Sequence, residues 1–202
     1  MEKRKIVQLL TLVLFAVLIV IGKIQLWMAI FGVSLLLSTY FGRFYCGYIC
    51  PINTAMELID DNAEKKKRKR NQVPKVFKNP IIRYAILILF LGAMVIVFKT
   101  GKKLPVLPIL FGSGIIITIF YKPEFWHRYL CPYGALLSIF SRLNKKTYMI
   151  HNESCIKCGK CVDICPSDAI AWDDKKAYPI IIKNECLQCG KCIEVCPTDS
   201  IR

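Results

Sequence analysis

The feature that most constrains this 202-residue chain is a ladder of cysteines that occurs twice in its last third. The first copy consists of Cys155, Cys158, Cys161 and Cys165, and the second, thirty-one residues later, of Cys186, Cys189, Cys192 and Cys196. Three cysteines at this spacing can surround three corners of an iron–sulfur cubane, whereas zinc usually takes close pairs separated by a long loop. The double ladder therefore predicts two [4Fe–4S] clusters, with zinc as the alternative.

The fourth cysteine of each copy precedes a proline, Pro166 or Pro197. In two-cluster proteins this fourth cysteine ligates the other cluster, because the halves pack about a pseudo-two-fold axis. The first cluster is therefore assigned to Cys155, Cys158, Cys161 and Cys196, and the second cluster to Cys186, Cys189, Cys192 and Cys165. The segment between the copies predicts a short β-hairpin around a polar turn at 173–176. On these residues, positions 150–202 resemble the bacterial two-[4Fe–4S] ferredoxins.

The first two thirds of the chain contain four apolar segments with few charges. They are residues 6–21, 24–41, 81–98 and 104–121. Segments of this kind predict membrane spans, and a soluble protein of this size could hardly bury four of them as core helices, which is the alternative. The expected fold is a membrane all-α four-helix bundle in residues 1–144, joined to a small α+β ferredoxin-like domain in residues 145–202.

The formal charge of +15 lies largely beside these apolar segments, chiefly in the basic run at 65–70. The positive-inside rule then predicts a multi-pass protein of the plasma or inner membrane, with both termini and the ferredoxin domain in the cytoplasm. Anionic lipid is a sufficient partner for the basic run, so no nucleic acid is expected, although a nuclear signal or nucleic-acid patch is the alternative. The cysteine ladders favour a cofactor over disulfides, and so a reducing compartment.

Two further motifs place a cysteine before a proline, at Cys50-Pro51 and Cys131-Pro132. Aligning them also aligns Tyr48 with Tyr129, which suggests a duplicated helical hairpin. We predict an additional redox site, such as a further iron–sulfur cluster, formed by Cys46, Cys50, Cys131 and His127. The alternative is that the cysteines are free thiols and the aromatic residues an interfacial belt.

With this arrangement the chain resembles the NapH-like membrane polyferredoxins, which have C-x-x-x-C-P motifs after the second and fourth spans. The resemblance implies an electron-transfer subunit of quinol dehydrogenase type, which links the quinone pool to a redox partner or a larger membrane complex. It also implies that Cys46, Cys50 and Cys131 are the motif cysteines, with His127 where the family has a cysteine. Two other interpretations stay open: a redox-sensing or cofactor-assembly accessory protein without quinone turnover, and a plain membrane anchor for a ferredoxin domain.

Overall fold

The computed structural model describes residues 2–66, 68–100, 106–174 and 176–202. The chain forms two compact units, Met1–Pro51 with Leu137–Arg202, and Ile52–Leu136. The sequence-predicted boundary between residues 144 and 145 stays a prediction.

The chain is mostly helical. In chain order the longer helices are α1 Glu2–Val20, α2 Gln25–Phe41, α3 Pro51–Lys65, α4 Pro80–Thr100, α5 Val106–Phe120 and α6 Pro132–Phe140. The ferredoxin region adds the single-turn helices α7 Lys160–Asp163 and α8 Lys191–Glu194 and the strands β1 Ile170–Ala171 and β2 Ile180–Ile181. The other elements of the described residues are the π-helices π1 Tyr45–Ile49 and π2 Phe125–Leu130 and the 3-10 turns Lys75–Lys78, Ser141–Leu143 and Lys183–Glu185.

The predicted membrane four-helix bundle is wrong. Within the described ranges, α4 alone is long and apolar enough to cross a bilayer, with an 18-residue window at Pro80–Val97 of mean hydropathy 2.4. Helix α1 begins with four charged residues, while α2 has 17 residues and the described part of α5 has 15. The predicted fourth span also begins at 104, outside the described residues. Counting apolar residues therefore overestimated how many helices reach spanning length.

Aromatic contacts hold π1 against the α1–α2 hairpin. Trp27 of α2 packs edge-on against Phe15 of α1, with ring centroids 5.0 Å apart, and its indole N–H donates to the Tyr45 hydroxyl at 2.9 Å. Gln8 of α1 donates its side-chain amide to the Gly47 carbonyl oxygen at 3.0 Å. These bonds fix the position of the segment that carries Cys46.

The predicted hairpin between the cysteine ladders is confirmed. Strands β1 and β2 are antiparallel, with Ile170 opposite Ile181. An isolated antiparallel bridge pairs Ile150 with Ile201, which is the same pairing displaced by the thirty-one-residue repeat. Because the buried isoleucines of both pairings belong to one apolar cluster, the two halves of the ferredoxin region share a core.

Candidate functional site

The two cysteine loops have the same backbone conformation. Lys157 and its repeat equivalent Gln188 have φ values of 56° and 59°, and Gly159 and Gly190 have φ values of 77° and 75°. Positive φ is rare for residues other than glycine, so matched values at equivalent positions indicate one loop fold built twice. In this fold a short helix, α7 or α8, starts directly after the glycine.

Each loop borders a cavity of about 330 Å³, including its open mouth. The first cavity is lined by Cys155, Cys158, Cys161 and Cys196, and the second by Cys165, Cys186, Cys189 and Cys192. Each cavity thus combines three cysteines of one copy with the fourth cysteine of the other, the grouping expected from the sequence. That these side chains ligate clusters stays a prediction. In the part of the chain that the structure describes, no three His, Cys, Asp or Glu side chains converge on a single-ion site.

Hydrogen-bonding groups surround the two fourth cysteines. The Ala169 backbone N–H donates to Cys165 Sγ at 3.3 Å, and Ser200 Oγ lies 3.2 Å from Cys196 Sγ. Hydrogen bonds to cluster sulfur are one of the means by which a protein adjusts a reduction potential. The environment of these sulfurs therefore suits an iron–sulfur ligand.

The cysteine pKa values reflect burial and crowding. Burial, together with the neighbouring Cys189 and Cys165, raises the pKa of the Cys186 thiol from 9.0 to about 12. Burial and the neighbouring cysteines also raise the pKa of Cys192. At Cys196 burial acts in the same direction, but hydrogen bonds from Ser200 and Thr198 outweigh it and lower the pKa to about 7. Four crowded thiolates need cationic charge between them, so this donor set fits a [4Fe–4S] cluster.

A buried ion pair anchors the second cysteine loop. Arg43 Nη1 lies 2.9 Å from the carboxylate of Glu185, the residue before Cys186, and the Arg43 side chain is fully buried. Ser138 donates to the same carboxylate at 2.8 Å. The sequence analysis did not identify this pair. One feature of the sequence could have indicated the pair. The two cysteine copies differ at the residue before their first cysteine, which is Ser154 in the first copy and Glu185 in the second.

The two Cys-Pro motifs have the same local structure. Cys46 lies in π1, and Cys50 after it is extended, with φ −64° and ψ 116°. His127 lies in π2, and Cys131 after it has φ −71° and ψ 112°. Each extended cysteine is followed by a proline that begins a helix, where the missing N–H costs little. Cys46 and Cys50 belong to one compact unit and Cys131 and His127 to the other, and a shared redox site stays a prediction.

Two family models match the chain. A model described as a 4Fe-4S binding domain matches residues 24–71 and 104–149, and one described as a 4Fe-4S dicluster domain matches residues 148–202. The first model therefore covers both Cys-Pro motifs, and the second covers both cysteine ladders.

Distant relatives carry names that refer to electron transport or ferredoxins. YccM of Escherichia coli, whose name assigns it provisionally to electron transport, is 29% identical over 70% of this chain and 45% of its own length. The methylamine utilization ferredoxin-type protein MauN of Methylorubrum extorquens is 27% identical over 71% of this chain and 55% of its own. The regulatory protein NosR of Pseudomonas aeruginosa is 28% identical over 65% of this chain and 21% of its own.

The chain spans about half the length of the first curated relatives it matches. No solved structure matches it. The matches and the cysteine loops lead to one conclusion. The chain carries 4Fe-4S ferredoxin-type domains and is a distant homologue of proteins named for electron transport or as ferredoxin-type proteins.

Proposed function

We propose that this protein passes single electrons through two [4Fe–4S] clusters, one in each cysteine-lined cavity. The observation that carries the proposal is the exchanged grouping, in which Cys196 completes the first set and Cys165 the second. When bound, the clusters supply the one-electron chemistry. The chain contributes thiolate ligands, hydrogen bonds to sulfur and partial burial.

We also propose that the protein works at a membrane. Helix α4 has the required length, and Ile88 and Leu89 near its middle are exposed, as lipid-facing residues would be. The basic run at 65–70 precedes α4 along the chain and suits the cytoplasmic face of an anionic bilayer. Arg43, which precedes the basic run, binds Glu185, so we place the ferredoxin region on the same, cytoplasmic side as the basic run. Following the resemblance to NapH-like polyferredoxins, we propose the quinone pool as one partner and a redox protein or larger membrane complex as the other.

The cluster assignment is tested by anaerobic purification followed by iron, sulfide and EPR analysis. We expect about eight irons per chain from the two cubanes. Cys165→Ala should damage the cluster held by the second loop, and Cys196→Ala should damage the cluster held by the first. A protein that holds zinc and no sulfide would contradict the assignment. The opposite pattern of damage would show that the fourth cysteines are not exchanged.

The quinone proposal needs a separate test. Membranes that contain the protein are mixed anaerobically with duroquinol, a reduced quinone, and the iron–sulfur EPR signals are recorded. Growth of the reduced signals supports electron entry from quinol. Signals that respond to dithionite but not to quinol would contradict the quinone proposal and leave the cluster assignment standing.

A further inference from the structure

The two cysteine loops have the same backbone but opposite exposure. Ile156, between the first two cysteines of the first copy, is 62% exposed, whereas its equivalent Leu187 is 2% exposed. Cys158 is exposed and its equivalent Cys189 is half-buried, and Ser154 is exposed where its equivalent Glu185 is buried. Some feature outside the repeat must therefore cover the second loop only.

The segment that covers the second loop is residues 43–47, which contains the first three residues of π1 and the two residues before them. Gly47 lies so close to the second loop that a Cβ atom on it would be 2.2 Å from the Leu187 carbonyl oxygen. Arg43 binds Glu185, and its Nη2 lies 4.0 Å from Cys46 Sγ. The second loop is thus covered at residues 185–187 by the segment that carries Cys46.

The first loop presents an exposed surface of a different kind. Its cavity is lined by two charged side chains, Lys157 and Lys160, whereas the lining of the second cavity has none among the described residues. Apolar surface lies beside the lysines, since Ile156 is exposed and Ile180 of β2 is 68% exposed. Lys157 also lies over the Tyr178 ring, 4.1 Å from its centroid. Apolar residues next to two cations suit a partner with carboxylates around an apolar contact.

We propose that this first-loop face, defined by Ile156, Lys157, Cys158, Lys160 and Ile180, is the docking surface for a small acidic one-electron carrier protein. The inference rests on the proposed electron-transfer function and assigns different roles to the two loops. The second loop is buried against the Cys46 segment, and the cluster held by the first loop exchanges electrons with the carrier. The transfer oxidises the cluster by one electron and reduces the carrier by one, or the reverse, with no bond formed or broken.

The test measures binding of flavodoxin, an acidic one-electron carrier, to the full-length holoprotein by surface plasmon resonance at low and high salt. We expect Lys157→Glu/Lys160→Glu to weaken binding by about tenfold or more at low salt, because both charges that face the carrier are reversed. Lys191→Glu is the matched control, since Lys191 is the second-loop equivalent of Lys160. It should change binding less than about twofold. If the double variant does not retain its iron, binding is measured with the single variant Lys160→Glu instead.

Hydrogen exchange on the complex supplies a readout independent of electron transfer. Protection should increase at residues 156–160 and 178–181 and stay unchanged at 186–190. Equal loss of binding in Lys191→Glu, protection at 186–190, or no binding by the wild-type protein would each overturn the inference. A dimer that Ile156→Glu dissociates would assign the face to a second copy of the chain and also overturn it. If dithionite fails to reduce the bound clusters, the proposed function fails; if it reduces them and flavodoxin does not dock, only the inference fails.

Discussion

At the scale of single residues, Gly159 and Gly190 occupy equivalent positions in the two cysteine loops but differ in how much space a side chain would have. Each glycine follows the second cysteine of its copy, where the backbone has to come close to a bound cluster. The structure adds a left-handed φ at both, which costs any other residue about 1–2 kcal/mol. At Gly159 alone, a Cβ atom would also lie 2.7 Å from the Trp172 ring, whereas at Gly190 the nearest contact is the Tyr148 hydroxyl at 3.8 Å.

We therefore expect Gly159→Ala to be more harmful than Gly190→Ala. Both variants carry the backbone cost, and overpacking against Trp172 adds about 1–3 kcal/mol at Gly159 only. The rate of iron release from the holoprotein on warming measures the difference, with EPR to identify which cluster is lost. Equal rates in the two variants would show that Trp172 moves aside freely.

The buried pair of Arg43 and Glu185 is the second residue-scale feature. Removing one partner of a buried ion pair leaves the other charge without compensation, which costs about 3–5 kcal/mol. We expect Glu185→Ala to lower the temperature at which the visible iron–sulfur absorbance is lost. Arg43→Met/Glu185→Leu should recover part of the loss, because no uncompensated charge remains. Ser154→Ala, at the exposed equivalent of Glu185, is the control and should have little effect.

At the scale of elements, π1 determines where the second cysteine loop is covered. A π-helix contains an extra residue per turn and occurs mainly as a short insertion at functional positions. Here it brings Gly47 against the Leu187 carbonyl and Cys46 next to Arg43. A second π-helix, π2, precedes Cys131, so the two Cys-Pro motifs of this chain have the same backbone conformation.

We expect Gly47→Ala to separate π1 from the second cysteine loop. The added methyl group meets backbone rather than a flexible side chain, so the loop has to shift, at a cost of about 1–3 kcal/mol. Hydrogen exchange at 186–190 should then increase. Gly32→Ala in α2 is the matched control, because no atom lies within 4 Å of the position of its Cβ. It should leave exchange unchanged and favour the helix by up to about 1 kcal/mol.

These elements also show what the sequence could predict. The repeated cysteine spacing was sufficient to predict the exchanged grouping that lines the two cavities, and the polar turn at 173–176 was sufficient to predict the hairpin, because both signals are local in the sequence. The contact of Arg43 with Glu185 joins residues 142 positions apart, and periodicity and composition carry no signal for such a pairing. The number of spanning helices was wrong because a helix ends where capping, charge and packing end it, not where the apolar run ends. Neither π-helix has a sequence pattern that distinguishes it from an α-helix.

At the scale of the whole molecule, the membrane proposal depends on α4 rather than on a bundle. A crossing by α4 puts its two ends on opposite sides of the bilayer. The chain must then return to the first side by Tyr121, because the Tyr121 backbone pairs with Asn71 and Arg43 binds Glu185. Asn71 precedes α4 and follows the basic run, while Thr100 is the last residue of α4, and both are exposed. The positive-inside rule puts Asn71 on the cytoplasmic side, because lysine and arginine are concentrated before α4.

We expect a cysteine introduced by Thr100→Cys to react with a membrane-impermeant maleimide on intact cells. A cysteine introduced by Asn71→Cys should react only after the cells are permeabilised. The wild-type protein gives the background from the eleven native cysteines. Mass spectrometry of the labelled peptides then separates the introduced thiol from the native ones.

Labelling of Asn71→Cys alone on intact cells would reverse the topology and place the ferredoxin region outside the cytoplasm. If both variants need permeabilisation, α4 does not cross the membrane, and its exposed apolar side chains require a protein partner instead of lipid.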